Sequence, residues 1–338
     1  MTFAHDAGLF PHQIDIAADR VLLVSLSEQD YRDASFLDAR LLERQRPMQW
    51  AAWRELEALS VDLPPDAAWI FHIGHVGSTL VSRLLGEADG TLALREPQLL
   101  RQFAELKALR DEPHSPWPPE LFAARLSTAA RWLSRSFRPG QRAVVKATSF
   151  ASELAPELLA GGNPALFLYL KPERYIQTIL AGENSRHELG VLSGPRLQRL
   201  HAAIGEAPYR LWQLDEAKRA ALSWACEMAT LAAAPHRSVE WLDFDRFMAD
   251  PATALHEAAE HLAIELTGDR AAALAAGPIM TQYSKAPEHG YSRELRESVL
   301  ADAARQSAPE IADALRWLDR AATEFAPIAR ALERGQRE

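Results

Sequence analysis

From residue 66 onward the chain alternates short, uninterrupted apolar runs with longer stretches of helical period. The runs are "AWIFHI" (68–73), "TLAL" (91–94), "AVVK" (143–146), "ALFLYL" (165–170) and "VEWLDF" (239–244). Runs this continuous predict strands buried on both faces, and their alternation with helices predicts a parallel sheet covered on both sides. The expected fold is α/β, a doubly wound parallel sheet of about five strands flanked by helices, with a mostly helical C-terminal part over 266–338. "PATALHEAAEHLAIEL" carries Leu255, Ala258, Ala259 and Leu262 on one helical stripe.

Ahead of that core, "RVLLVSL" (20–26) predicts a strand, and a helical pattern runs through "LLERQRPMQWAAWRELEALS", split or delayed by Pro47. "VDLPPDAA" punctuates the chain. Residues 1–65 therefore read as an N-terminal strand/helix extension packed on a main domain over 66–338. Within the latter, "DEPHSPWPPE" (111–120) reads as a proline-rich loop or lid insertion.

The first strand-to-helix turn of a parallel sheet is where ligands gather, and here it reads "HIGHVGST". Gly74 and Gly77 let the backbone turn tightly and approach a ligand, while Ser78 and Thr79 open a helix with hydroxyls and free N–H groups. Such a P-loop-type turn suits a phosphate or sulfate. It is not a nucleotide-triphosphate loop of Gly-x-x-x-x-Gly-Lys-Ser/Thr form: with Gly77 as second glycine, His72 stands at the first and Ser78 at the lysine. The Gly-x-Gly-x-x-Gly and Gly-x-Ser-x-Gly patterns are absent as well.

At these residues the sequence resembles the sulfotransferase family. "GHVGSTL" is similar to its donor loop, Pro-Arg/Lys-Ser-Gly-Thr-Thr/Ser-Leu, with Gly77, Ser78, Thr79 and Leu80 matching and His75 standing where the family has Arg or Lys. "LREPQLL" resembles the family's acidic strand end, which places Glu96 beside the acceptor. "VVKAT" looks like its Lys-Thr/Ser-Pro motif, with Lys146 in register. "LKPERYIQTIL" resembles the segment that grips the donor's 3'-phosphate, with Pro172 and Thr178 in place and Leu170 at the leading arginine. "FDRFMADP" is similar to its Tyr-Glu-Asp-Leu-x-x-Asp-Pro segment, through Asp245, Asp250 and Pro251.

The resemblance implies a sulfuryl donor, 3'-phosphoadenosine 5'-phosphosulfate, and an acceptor hydroxyl or amine on a small molecule or glycan. Sulfuryl transfer needs a phosphate cradle, a base, and positive charge at the leaving group. Gly74, His75, Gly77, Ser78 and Thr79 are the expected cradle, Glu96 the base, and Lys146 with His75 the cations. Lys171, Arg174 and Thr178 are expected at the 3'-phosphate, with the more distant Lys285 and Arg293 read as a solvated face rather than as further cations for it, and "AGENSRHELGVLSGPRLQRL" and the proline-rich insertion as the frame of the acceptor pocket. A P-loop small-molecule kinase, or a non-catalytic nucleotide-binding protein of the same fold, are the alternatives.

Composition narrows the partners. With 37 Lys plus Arg against 46 Asp plus Glu, the net charge of −9 disfavours nucleic acid and anionic membrane surfaces. The single cysteine, Cys226, lies in an apolar run and reads as a buried thiol. No basic leader with an apolar h-region and no long apolar window is present, so a cytoplasmic location without membrane contact is expected. His256 and His261 are five apart, on different faces of a helix, and His72 and His75 have no acidic or cysteine partner in sequence. No metal is expected.

Overall fold

Each of the five apolar runs is a strand in the computed structural model, which describes residues 3–43, 45–234, 237–282 and 292–336. The strands are β1 (Leu9–Asp15), β2 (Arg20–Ser25), β3 (Met48–Ala52), β4 (Ala68–His72), β5 (Thr91–Arg95), β6 (Arg142–Lys146), β7 (Ala165–Tyr169) and β8 (Val239–Asp243). The last five form one sheet in the order β5-β6-β4-β7-β8 with every neighbouring pair parallel. Every residue of β4, β5 and β7 is buried, as continuous apolar runs require. The strand order reverses about β4, which puts its carboxyl end at the topological switch point where such sheets bind ligands.

Cross-strand aromatic pairs fix the register on one face. Phe71 lies opposite Phe167, and Phe167 opposite Trp241, with ring centroids 5.8 and 5.1 Å apart, both edge to face. The Ser78–Leu85 helix packs on β4, β5 and β6, and the Pro251–His261 helix packs on it in turn. Leu255, Ala258, Ala259 and Leu262 are all at most 2% exposed, the stripe expected from their spacing. The C-terminal part is helical, at Gly268–Ala275, Arg293–Gln306, Ala308–Glu324 and Ala326–Gln336. No described helix is long and apolar enough to cross a membrane.

The N-terminal residues depart from the helical expectation. β1, β2 and β3 form a separate antiparallel sheet, and Met48–Ala52 is a strand where the sequence pattern reads as helix. The apolar β2 needs a partner on each side, and pairing with it overrides the local helical period of "PMQWAAW". β1 is equally unexpected, because Pro11 and His12 interrupt its pattern, and the pairing register shifts between Pro11 and Gln13. Its outer edge is blunted by a side chain: the Gln102 amide accepts from the Ile14 N–H (2.7 Å) and donates to the Ile14 carbonyl (3.0 Å). The proline-rich stretch before the Pro119–Leu133 helix is a loop that buries Trp117 against Phe103.

Arg135 joins the N-terminal residues to the core. Its buried guanidinium donates to the carbonyls of Phe3 (2.6 Å), Asp6 (3.0 Å), Leu9 (2.8 Å) and Trp132 (2.9 Å), and burial pulls its pKa down to about 10. Arg135→Ala is expected to lower unfolding free energy by roughly 3 kcal/mol, read as a fall in urea midpoint at unchanged m-value.

Candidate functional site

The turn after β4 is held at nearly every residue. His72 staples its start: the Nδ1 atom accepts from the Gly74 N–H at 3.0 Å, so the ring hydrogen lies on Nε2, which donates to the Ala147 carbonyl at 3.0 Å. The Tyr175 hydroxyl donates to the Ile73 carbonyl at 3.2 Å. Gly74, His75 and Gly77 then all take left-handed backbone, with φ of 87°, 54° and 67°. A Cβ on Gly77 would lie 2.0 Å from the Phe244 ring, so both the torsion and the space demand glycine there.

Beyond the turn, Gly77 is the N-cap of the Ser78–Leu85 helix and no side chain caps it. The first-turn amides of Ser78, Thr79 and Leu80 have no carbonyl within the helix to bond to. The Thr79 hydroxyl is buried and has no hydrogen-bond partner. A helix start with free donors, a positive dipole end and an orphaned hydroxyl fits an anion.

These groups open on a cavity of about 330 Å³ lined by His75, Gly77, Ser78, Thr79, Glu96, Lys146 and Thr178, among others. Seven of the residues singled out from sequence therefore meet in one place. Gly74 lies just beneath, its open side facing Ser149 and Arg196. Lys146, at the end of β6, is 0% exposed and in contact with the Glu96 carboxylate. Glu96 sits one residue past β5 with φ of 51°, so His75 and Glu96 both hold a conformation that side chains resist. Phe36 of the N-terminal residues covers this pair, with its ring 5.8 Å from Lys146 Nζ and 3.8 Å from the Arg40 guanidinium carbon.

Two of the expected residues are placed elsewhere. Lys171 is exposed and lines a separate depression with Trp241, Asp243 and Arg334. Arg174 is bound to Asp245 (2.9 Å) and Glu297 (2.6 Å), away from the lining. Leu170, at the position of the family's arginine, is fully buried with its carbonyl taken by Trp224 Nε1–H at 2.8 Å. Lys285 lies outside the described residues, and Arg293 is exposed. Besides Lys146, Arg296 from the Arg293–Gln306 helix lines the cavity, paired with Asp245 (2.8 Å) and Glu297 (3.0 Å) and lying over the Phe244 ring. That helix also supplies Leu295, Val299 and Leu300 to an apolar wall, whereas none of residues 111–120 lines the cavity.

Sequence reading also missed the underside of the turn. The Glu183–Ile204 helix, which contains Pro195, presents Ser185, Glu188, Arg196 and Arg199 toward the turn and the core. His75 Nδ1 is 3.0 Å from Ser185 Oγ, and Nε2 is 3.1 Å from Glu188 Oε2. Arg196 and Arg199 share the fully buried Glu227 carboxylate at 2.9 and 3.2 Å. Burial opposes the charge on both guanidiniums, and Glu227 overrides it, holding them above the ordinary arginine range. Burial likewise pushes the neighbouring Cys226 thiol up to about 11, so it packs as an inert group. One signal was available: a lone Glu in the apolar run "ALSWACEMATL" demands a buried cation.

Among the described residues, no three His, Cys, Asp or Glu side chains gather as metal ligands would. His256 Nδ1 meets the Leu266 carbonyl (2.8 Å), and His261 Nε2 those of Ala165 (3.0 Å) and Ser238 (3.1 Å).

No protein-family model and no curated protein matches the chain. Among solved structures it is similar to a sulfotransferase from Alicyclobacillus acidocaldarius, at 14% identity and a TM-score of 0.36 over 73% of this chain and 94% of that one. It is also similar to the sulfotransferase domain from the curacin biosynthetic pathway, at 14% identity and a TM-score of 0.36 over 72% of this chain and 98% of that one. Likenesses this distant leave the function to be argued from the site.

Glu227→Gln leaves two buried guanidiniums without their counter-charge, and is expected to destabilise the protein by about 3–5 kcal/mol in urea unfolding. Gly77→Ala is expected to leave secondary structure intact by circular dichroism while abolishing anion binding at the turn, because Phe244 must push the backbone out of place.

Proposed function

We propose that the chain transfers a sulfuryl group from 3'-phosphoadenosine 5'-phosphosulfate to a hydroxyl or amine of a small-molecule or glycan acceptor. The observation that carries this reading is a single cavity combining an uncapped helix start, the orphaned Thr79 hydroxyl and the Glu96–Lys146 pair. At about 330 Å³ it falls at the lower end of the roughly 300–1,000 Å³ usual for small ligands.

The donor, when bound, supplies an electrophilic sulfur whose bond to a phosphate oxygen breaks as the acceptor's bond to sulfur forms. The amides of Gly77, Ser78 and Thr79, with the Thr79 hydroxyl, hold the phosphate end and are already oriented before it arrives, so they need no reorganisation during transfer. Glu96 takes the acceptor proton. Neutralising Glu96 weakens its hold on Lys146, and the ammonium is then available to the charge gathering on the leaving phosphate. One residue pair thus couples proton removal to leaving-group stabilisation. In this reading Thr178 and Arg296, which line the cavity, take the 3'-phosphate in place of Lys171 and Arg174, which do not.

Adenosine 3',5'-bisphosphate is expected to raise the melting midpoint with concentration, as a ligand of the folded state must, and ATP with Mg²⁺ to leave it unchanged. The reverse pattern would support the kinase. Glu96→Gln is expected to lower kcat by roughly 100-fold or more while bisphosphate affinity stays within about threefold. Normal turnover by that variant would remove Glu96 from the role of base.

A further inference from the structure

Building on the sulfuryl-transfer reading, we propose that the acceptor is an apolar alcohol or phenol, a hydroxyl carried on a hydrocarbon body, and that this body lies against Leu295, Val299 and Leu300 of the Arg293–Gln306 helix.

The helix reads "RELRESVLADAARQ", in which Leu295, Val299 and Leu300 are the large apolar side chains and every other residue is charged, polar or alanine. Four and five residues apart, the three share one face of the helix, and all three line the cavity. Leu300 is 3% exposed and already packed by the protein, whereas Leu295 and Val299 are 53% and 41% exposed. A lone apolar side chain in water is commonplace. Two of them one helical turn apart, lining a cavity and flanked in sequence by Glu294, Glu297 and Ser298, mark a surface that a ligand covers. Phe244 and Ala181 extend the apolar part of the lining.

In the sulfuryl-transfer reading the polar groups of the cavity are already assigned. The turn amides and the Thr79 hydroxyl take the phosphate that bears the sulfuryl group, and Thr178 and Arg296 take the 3'-phosphate. Glu96 and Lys146 take the proton and the leaving charge. The three aliphatic side chains offer no donor and no acceptor. A sugar laid on them leaves its hydroxyls unpaired on that side, at a cost in free energy. A hydrocarbon body has no such groups to leave unpaired, and it removes Leu295 and Val299 from water. In the transfer itself the acceptor oxygen bonds to sulfur as the bond from sulfur to the 5'-phosphate oxygen breaks. The hydroxyl proton goes to Glu96 and the electron pair of the broken bond stays on the phosphate, giving a sulfate monoester and adenosine 3',5'-bisphosphate.

The test gives the full chain 3'-phosphoadenosine 5'-phosphosulfate and a series of para-alkylphenols from methyl to pentyl, whose hydroxyls are nearly equal in acidity, so that rate differences report contact along the alkyl chain. The value of kcat/KM is expected to rise about threefold per added methylene, and glucosamine to fall roughly 100-fold or more below para-pentylphenol. Leu295→Asn and Val299→Asn, both at exposed positions, are each expected to raise KM for para-pentylphenol by about tenfold, while Val299→Ile keeps it near the wild-type value. Calorimetric affinity for adenosine 3',5'-bisphosphate should stay within about twofold in all three variants. A flat kcat/KM across the phenols, or glucosamine transferred as fast as para-pentylphenol, would overturn the inference alone. So would an asparagine variant with weakened bisphosphate binding, because the apolar face would then belong to the donor's purine. No bisphosphate binding, or binding without transfer to any acceptor, would instead overturn the sulfuryl-transfer reading and the inference with it.

Discussion

Left-handed backbone at Gly74, His75 and Gly77 is the constraint on which the site depends. Between the end of β4 and the start of the next helix the chain turns within five residues. Three of them have positive φ, two being glycines that adopt it freely and the third, His75, strained. The surrounding side chains over-determine the turn: His72 and Tyr175 hold its entry, Ser185 and Glu188 its middle, and Phe244 fills the space behind its exit. Strain of this kind persists where packing leaves no alternative.

The charged groups sort into two sets with different environments. Glu227 with Arg196 and Arg199 is sealed beneath the turn, where a neutral triad of hydrophobic residues could in principle pack as well. Its place under Gly74 suggests a reason for keeping it: a rigid polar floor for backbone that must not sag. Glu96 with Lys146 lines the cavity instead.

The sheet was legible because each buried strand announces itself by a continuous apolar run, and the turn because glycine, serine and threonine follow the first of them. β1 and β3 were not, since their pairing partner rather than their own pattern makes them strands. Thr178 and Lys146, singled out through resemblance to a family motif, line the cavity. Lys171 and Arg174, singled out by the same route, do not line the cavity, because a motif does not say which way its helix turns a side chain. Arg296 comes from a helix distant in sequence from the turn, with no local pattern connecting it; Ser185 and Glu188 lie in the "AGENSRHELGVLSGPRLQRL" segment expected at the acceptor pocket, but nothing in its pattern assigned them to the turn.

Pro195 has no N–H to offer the Val191 carbonyl, and Gly190 and Gly194 flank that gap with no side chain in contact range at the first and a single leucine methyl at the second. The helix thus lacks one rung of its hydrogen-bond ladder. Its leading half carries Ser185 and Glu188 to the imidazole, and its trailing half is anchored through Arg196 and Arg199 to the core. With that rung missing, each half is tied more firmly to its own partners than to the other half.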